Sequence, residues 1–144
     1  KHQPGGTMII STNEATHRTT TSSSDPLGLG RWATILLSGK EGHRTRIVSV
    51  YNPIASSPGP HTVNRQQTRC LRATKDYRKP TNALREDLKN AVLTWIEAGE
   101  HLIIGLDANK DVRRGDLTSM LRLCGLHNMI HCIILVQVGI AGGY

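Results

Sequence analysis

The chain has no phenylalanine at all, and its aromatic side chains number five: Trp32, Trp95, Tyr51, Tyr77 and Tyr144. A core without large aromatic volume must be assembled from Ile, Leu and Val. The three cysteines, Cys70, Cys124 and Cys132, form no CxxC pair, which argues against a disulfide scaffold or a closed zinc site. The seven histidines are scattered; His127 and His131 are the one i, i+4 pair and lack the HExxH context of a metal helix. No apolar run approaches membrane-spanning length, since the longest, Ile133 to Val138, is far too short. No signal-type apolar core opens the chain. These absences set the expectation of a protein without membrane insertion, intracellular rather than secreted. A start on Lys1 instead of methionine suits a processed or excised segment.

What is present is a chain of 144 residues, 38% hydrophobic, enough for one domain with its own core. Its formal charge is +7, and the excess is lopsided. Residues 1–80 hold twelve Lys/Arg against four Asp/Glu, a net of +8, whereas residues 81–144 hold six against seven, a net of −1. Basic material therefore precedes the strongest helical segment. Such an excess favours an anionic partner, or serves simply as a solvated surface.

The pattern along the chain alternates strands and helices. Thr7 to Ser11 is a short β-prone run, and the Ser/Thr-rich stretch that follows, through Asp25-Pro26, reads as a loop. Arg31 to Ser38 and Thr45 to Tyr51 are β-type runs on either side of Gly39-Lys40-Glu41-Gly42, so a hairpin is expected. In the second run Thr45, Ile47, Ser49 and Tyr51 share one face, and Arg46, Val48 and Val50 the other. Apolar residues on both faces imply a second layer. Asn52-Pro53 stops the strand.

Val63 to Leu71 can begin a polar helix, with Pro80 interrupting the region beyond it. From Asn82 the stripe Leu84, Leu88, Ala91, Val92, Trp95 and Ile96 predicts a helix capped by Thr81 or Asn82 and stopped at Gly99. A strand is expected over His101 to Asp107, then a short helix from Asp116 to Gly125, with Asp116 as its cap. Ile133 to Val138 offers a further strand. The fold class expected is α/β (α+β). The glycines match neither the dinucleotide fingerprint nor a Walker-A loop, which excludes those nucleotide-binding designs.

The segment richest in chemistry is Leu102 to Val112. An apolar strand ends at Asp107, and Asn109 follows on the turn. A carboxylate can orient or deprotonate water, and a neutral amide can position a phosphate without adding repulsion. A divalent metal would offset the charge between carboxylate and phosphate. An Asp-x-Asn sequence alone is also common in structural turns.

Gly105-Leu106-Asp107-Ala108-Asn109 resembles the GDxN motif of the endonuclease/exonuclease/phosphatase family, with one extra residue between glycine and aspartate. Arg46 to Pro53 is similar to that family's strand ending in Tyr-x-Pro. Gln66 and Arg69 follow where the family places its next helix, and Gly28-Leu29-Gly30-Arg31-Trp32 resembles a hairpin entry seen in some members. The family includes deoxyribonuclease-like enzymes and endonucleases of non-long-terminal-repeat retrotransposons. The resemblance covers residues 5–131, leaving 132–144 as an apolar, glycine-rich tail.

That resemblance implies a partial four-layer αββα sandwich of mixed sheets and Mg2+-dependent hydrolysis of phosphoesters, with a DNA or RNA backbone as partner. It implies that Asp107 orients or activates water, that Asn109 positions the scissile phosphate and that Tyr51 donates to a phosphate oxygen or arranges the metal. Gln66, Arg69 and Arg31 become candidate substrate contacts. The family also uses an early Asn, an early metal-binding Glu, a late Asp and an Asp-His pair, which have no counterpart here; Glu14 is misplaced for the early Glu. The expectation is therefore an incomplete domain, continued by flanking polypeptide, with weak or no activity alone. A noncatalytic nucleic-acid- or phosphate-binding module and a phosphomonoesterase descendant are the alternatives.

Overall fold

The computed structural model describes residues 6–54, 59, 61–109 and 115–129. They form a mixed α/β fold of four α-helices and a four-stranded mixed sheet. The elements in chain order are α1 (Glu14–Arg18), β1 (Thr19–Ser24), β2 (Trp32–Ser38), β3 (Arg44–Tyr51), α2 (Val63–Ala73), α3 (Pro80–Glu97), β4 (His101–Asp107) and α4 (Asp116–Leu123). Spatial order follows chain order, β1-β2-β3-β4. The first two pairings are antiparallel, and β3 pairs with β4 in parallel. A parallel neighbour cannot be reached by a tight turn, so α2 and α3 supply the crossover.

The β2–β3 hairpin has the expected place, and its register sets Trp32 opposite Val50 and Ser38 opposite Arg44. Its connection tightens into a 3-10 turn over Lys40–Gly42, with Glu41 at φ 56° and Gly42 at φ 77°. The stretch expected to be a loop contains β1 instead. Six Ser and Thr residues carry no apolar alternation, but pairing with β2 supplies their backbone partners, and the Ser23 hydroxyl lies 3.0 Å from that of Thr34. In contrast, Thr7 to Ser11, expected to be β-prone, is irregular, although the Thr7 and Ser49 hydroxyls are hydrogen-bonded. The apolar run from Ile133 to Val138 lies outside the described residues.

Helix α3 extends the expected stripe by two residues at its start. Pro80 does not interrupt it but occupies the first turn, where a missing N–H costs nothing, and Lys79 stands at the N-cap position in place of Thr81 or Asn82. Leu84, Leu88 and Val92, four residues apart, are completely buried, while Ile96 is 39% exposed. The packed face is thus narrower than the stripe. It meets Trp32, Val48 and Val50 from the sheet, together with Leu117 and Met120 of α4. In α4 the N-cap position falls to Gly115, and Asp116 lies in the first turn, where its charge still suits the helix dipole.

One face of the sheet is therefore covered by helices and the other is more open. Along β3, Arg46, Val48 and Val50 are buried and Thr45, Ile47, Ser49 and Tyr51 are half-buried. Along β4, Leu102, Ile104 and Leu106 face the helices, whereas Ile103 is 59% exposed on the opposite side. None of the described helices is long and apolar enough to cross a membrane.

Candidate functional site at the ends of β3 and β4

Tyr51 and Asp107 are register partners at the ends of the parallel pair. Because partners in a ladder project to the same side, both residues lie on the sheet face away from α3 and α4. Fifty-six positions separate them in sequence, and the crossover places them side by side. Asp107 is exposed and Tyr51 half-buried, so both side chains can meet solvent or a ligand.

The turns beyond the two strands are joined by hydrogen bonds through Asn52. Its backbone N–H donates to the Asp107 carbonyl at 3.0 Å, and its side-chain Nδ2 donates to the Ala108 carbonyl at 2.7 Å. In return, Asn109 Nδ2 donates to the Asn52 carbonyl at 2.7 Å. Asn109 adopts φ 49°, a left-handed conformation that asparagine tolerates better than most residues. This reciprocal clamp fixes the path of Asp107-Ala108-Asn109. It also commits one Asn109 amide donor to protein, leaving the amide oxygen as an acceptor. The sequence signal for Asn52 was its place within Tyr51-Asn52-Pro53, where it reads first as a strand stop.

Arg31, expected as a substrate contact, does not join this group. It is 1% exposed. Its Nε and Nη2 contact the two Asp25 oxygens at 2.6 and 2.7 Å, and Nη1 contacts Asp87 at 2.8 Å. Burial opposes its charge, but these carboxylates more than compensate and raise its pKa above the ordinary arginine value. The residue is an internal strut between the hairpin entry and α3. The sequence does not show this pairing, because Asp87 is fifty-six residues away.

Gln66 and Arg69 both lie on α2, within the crossover between β3 and β4. Gln66 Oε1 is buried without a hydrogen-bond partner among the described residues. The neighbouring Gln67 is buried, and its Nε2 donates to the Leu29 carbonyl at 3.3 Å.

The basic charge is also partly internal. Arg46 makes a bidentate pair with Glu100 at 2.5 and 3.0 Å, donates to Thr34 and sits 4.9 Å from the Trp95 ring. Arg78 pairs with Asp76, Glu86 and Asp87, which raise its pKa. The Arg78 side chain and backbone N–H together hold Asp76 down to about 2. Three arginines counted within the basic half are thus neutralised by carboxylates.

A hard divalent cation takes oxygen ligands. At the strand ends the oxygen donors are the Asp107 carboxylate and the Asn109 amide oxygen, whose amide nitrogen is held by Asn52. Among the described residues, no three His, Cys, Asp or Glu side chains group as a metal cage. A cavity of about 40 Å³ lies behind the turns, lined by Asn52, Arg85, Ala108 and Asp116 among others; it is too small for a nucleotide. No family model, curated protein or solved structure gives a significant match to this chain.

Proposed function

We propose that the chain forms part of a metal-dependent phosphodiesterase acting on nucleic acid, with Asp107, Asn109 and Tyr51 as its reactive end. The observation that carries this reading is their convergence: two residues paired across parallel strands and a third clamped beside them. Asp107 orients the attacking water, and Tyr51 donates its phenol proton to a phosphate oxygen. Asn109 presents its amide oxygen to the metal or to that water, since Asn52 already takes one amide donor. Mg2+, held by Asp107 with Asn109, would screen the phosphate charge. In this reading the sheet and its helical cover are one half of the αββα sandwich, and a second sheet covers the open face. The neutralisation of Arg31, Arg46 and Arg78 favours the enzymatic reading over a purely electrostatic module, because the basic surface is smaller than the charge count implies.

The test is a Mg2+ titration with nucleic acid, a phosphodiester and a phosphomonoester as substrates, with EDTA and Asp107→Ala controls. Turnover by this chain is expected to be weak. Mg2+-dependent phosphodiester cleavage lost in Asp107→Ala supports the proposal. Salt-sensitive nucleic-acid binding without cleavage selects the noncatalytic module, and phosphomonoester hydrolysis alone selects the phosphatase reading.

A further inference from the structure

At the opposite end of the parallel pair, two histidines distant in sequence come together. His43 directly precedes β3 and His101 opens β4; their ring centroids are 5.7 Å apart and the ring planes are inclined by 44°. Both side chains are exposed. We propose that His43 and His101 form a two-imidazole site for a borderline divalent transition-metal ion such as Zn2+ or Ni2+, with water completing its coordination.

The geometry suits that role. Imidazole nitrogens bind zinc at about 2.0–2.1 Å, and two rings sharing a tetrahedral ion hold their centroids roughly 5 Å apart. The observed separation therefore needs a closure of less than about 1 Å, within reach of side-chain rotation. Imidazole is a preferred ligand for zinc, nickel and copper, whereas Mg2+ seeks oxygen. This site would consequently discriminate against the ion suited to Asp107.

Both backbones are already fixed, which lowers the ordering cost of binding. The Gly39 N–H donates to the His43 carbonyl at 2.7 Å, and the His43 N–H donates to the Lys40 carbonyl at 3.1 Å. The approach is so close that a Cβ at Gly39 would lie 3.1 Å from the His43 oxygen and 3.3 Å from its Cβ. His101 is set by its register against Thr45. Arg44, next to His43 in sequence, is engaged with the Ala98 carbonyl. A bound ion would clip the β2–β3 turn to the connection between α3 and β4, at the end of the sheet opposite Tyr51 and Asp107.

The experiment titrates the full chain with Ni2+ and records amide signals by NMR, using Zn2+ as the diamagnetic competitor and Mg2+ as the comparator. Paramagnetic broadening is expected first around residues 43 and 101, reversed by excess Zn2+ and left in place by excess Mg2+. His43→Gln and His101→Gln, both at exposed positions, should each weaken Ni2+ affinity at least tenfold while leaving the spectrum dispersed. Broadening centred on other histidines or cysteines overturns the proposal, as does unchanged affinity in either variant.

Discussion

Replacing Arg31 by Met would remove the charge that neutralises Asp25 in the interior while keeping much of the side-chain volume. Asp25 is 0% exposed at its side chain, and it would lose its 2.6 and 2.7 Å bonds to the guanidinium. It would keep only the Leu27 N–H at 3.0 Å. A buried carboxylate stranded in this way costs about 3–5 kcal/mol. With a urea m-value of about 1–3 kcal/mol/M, the unfolding midpoint should fall by about 1 M or more. Asp25→Asn should be milder, because Arg31 retains Asp87 at 2.8 Å. The double variant Asp25→Asn/Arg31→Met should then be more stable than the sum of the singles by roughly 0.5–3 kcal/mol, because no orphaned charge remains. Urea unfolding of all four proteins closes the cycle. A loss below about 1 kcal/mol for Arg31→Met, or strict additivity, would refute the view that this guanidinium is an internal counter-ion.

Acid should expose a second dependence. Asp76 titrates near 2 in the folded chain, against 3.8 ordinarily, so its pairing with Arg78 stabilises fully above about pH 4 and is lost as pH falls toward 2. Asp76→Asn should flatten that part of the stability profile, and a carboxyl-carbon NMR titration placing Asp76 near its ordinary value would contradict it. Asn52→Ala should cost about 1–3 kcal/mol by stranding the Ala108 carbonyl. The same change should shift the amide signals of Asp107 and Asn109; unmoved signals would dissolve the clamp.

The hairpin, α3 and β4 were legible because each has an apolar period matching its structure. Leu84, Leu88 and Val92 recur at helical spacing, and Val48 and Val50 alternate as a half-covered strand requires. β1 was not legible, since its Ser/Thr run has no apolar face and is ordered by its neighbour. Pro80 misled because proline breaks a helix interior yet suits the first turn. At the strand ends, Asp107, Asn109 and Tyr51 were visible as motifs, but Asn52's clamp was not: it depends on a crossover that returns β4 alongside β3. Arg31 failed for the same reason. Its carboxylate partners are assembled by packing, and a local reading of charge sees only the surplus.

The parallel register of β3 and β4 carries a consequence for how this site tolerates change. Asp107 reaches the open face because Leu102, Ile104 and Leu106 claim the helix-facing positions. A single residue inserted within β4 could not shift the carboxylate by a small distance. It would force a choice between burying the carboxylate beneath α3 and α4 and turning the three aliphatic side chains outward. Point substitution can therefore tune this end of the sheet, whereas length variation must be absorbed in the turns beyond Asp107 or before His101.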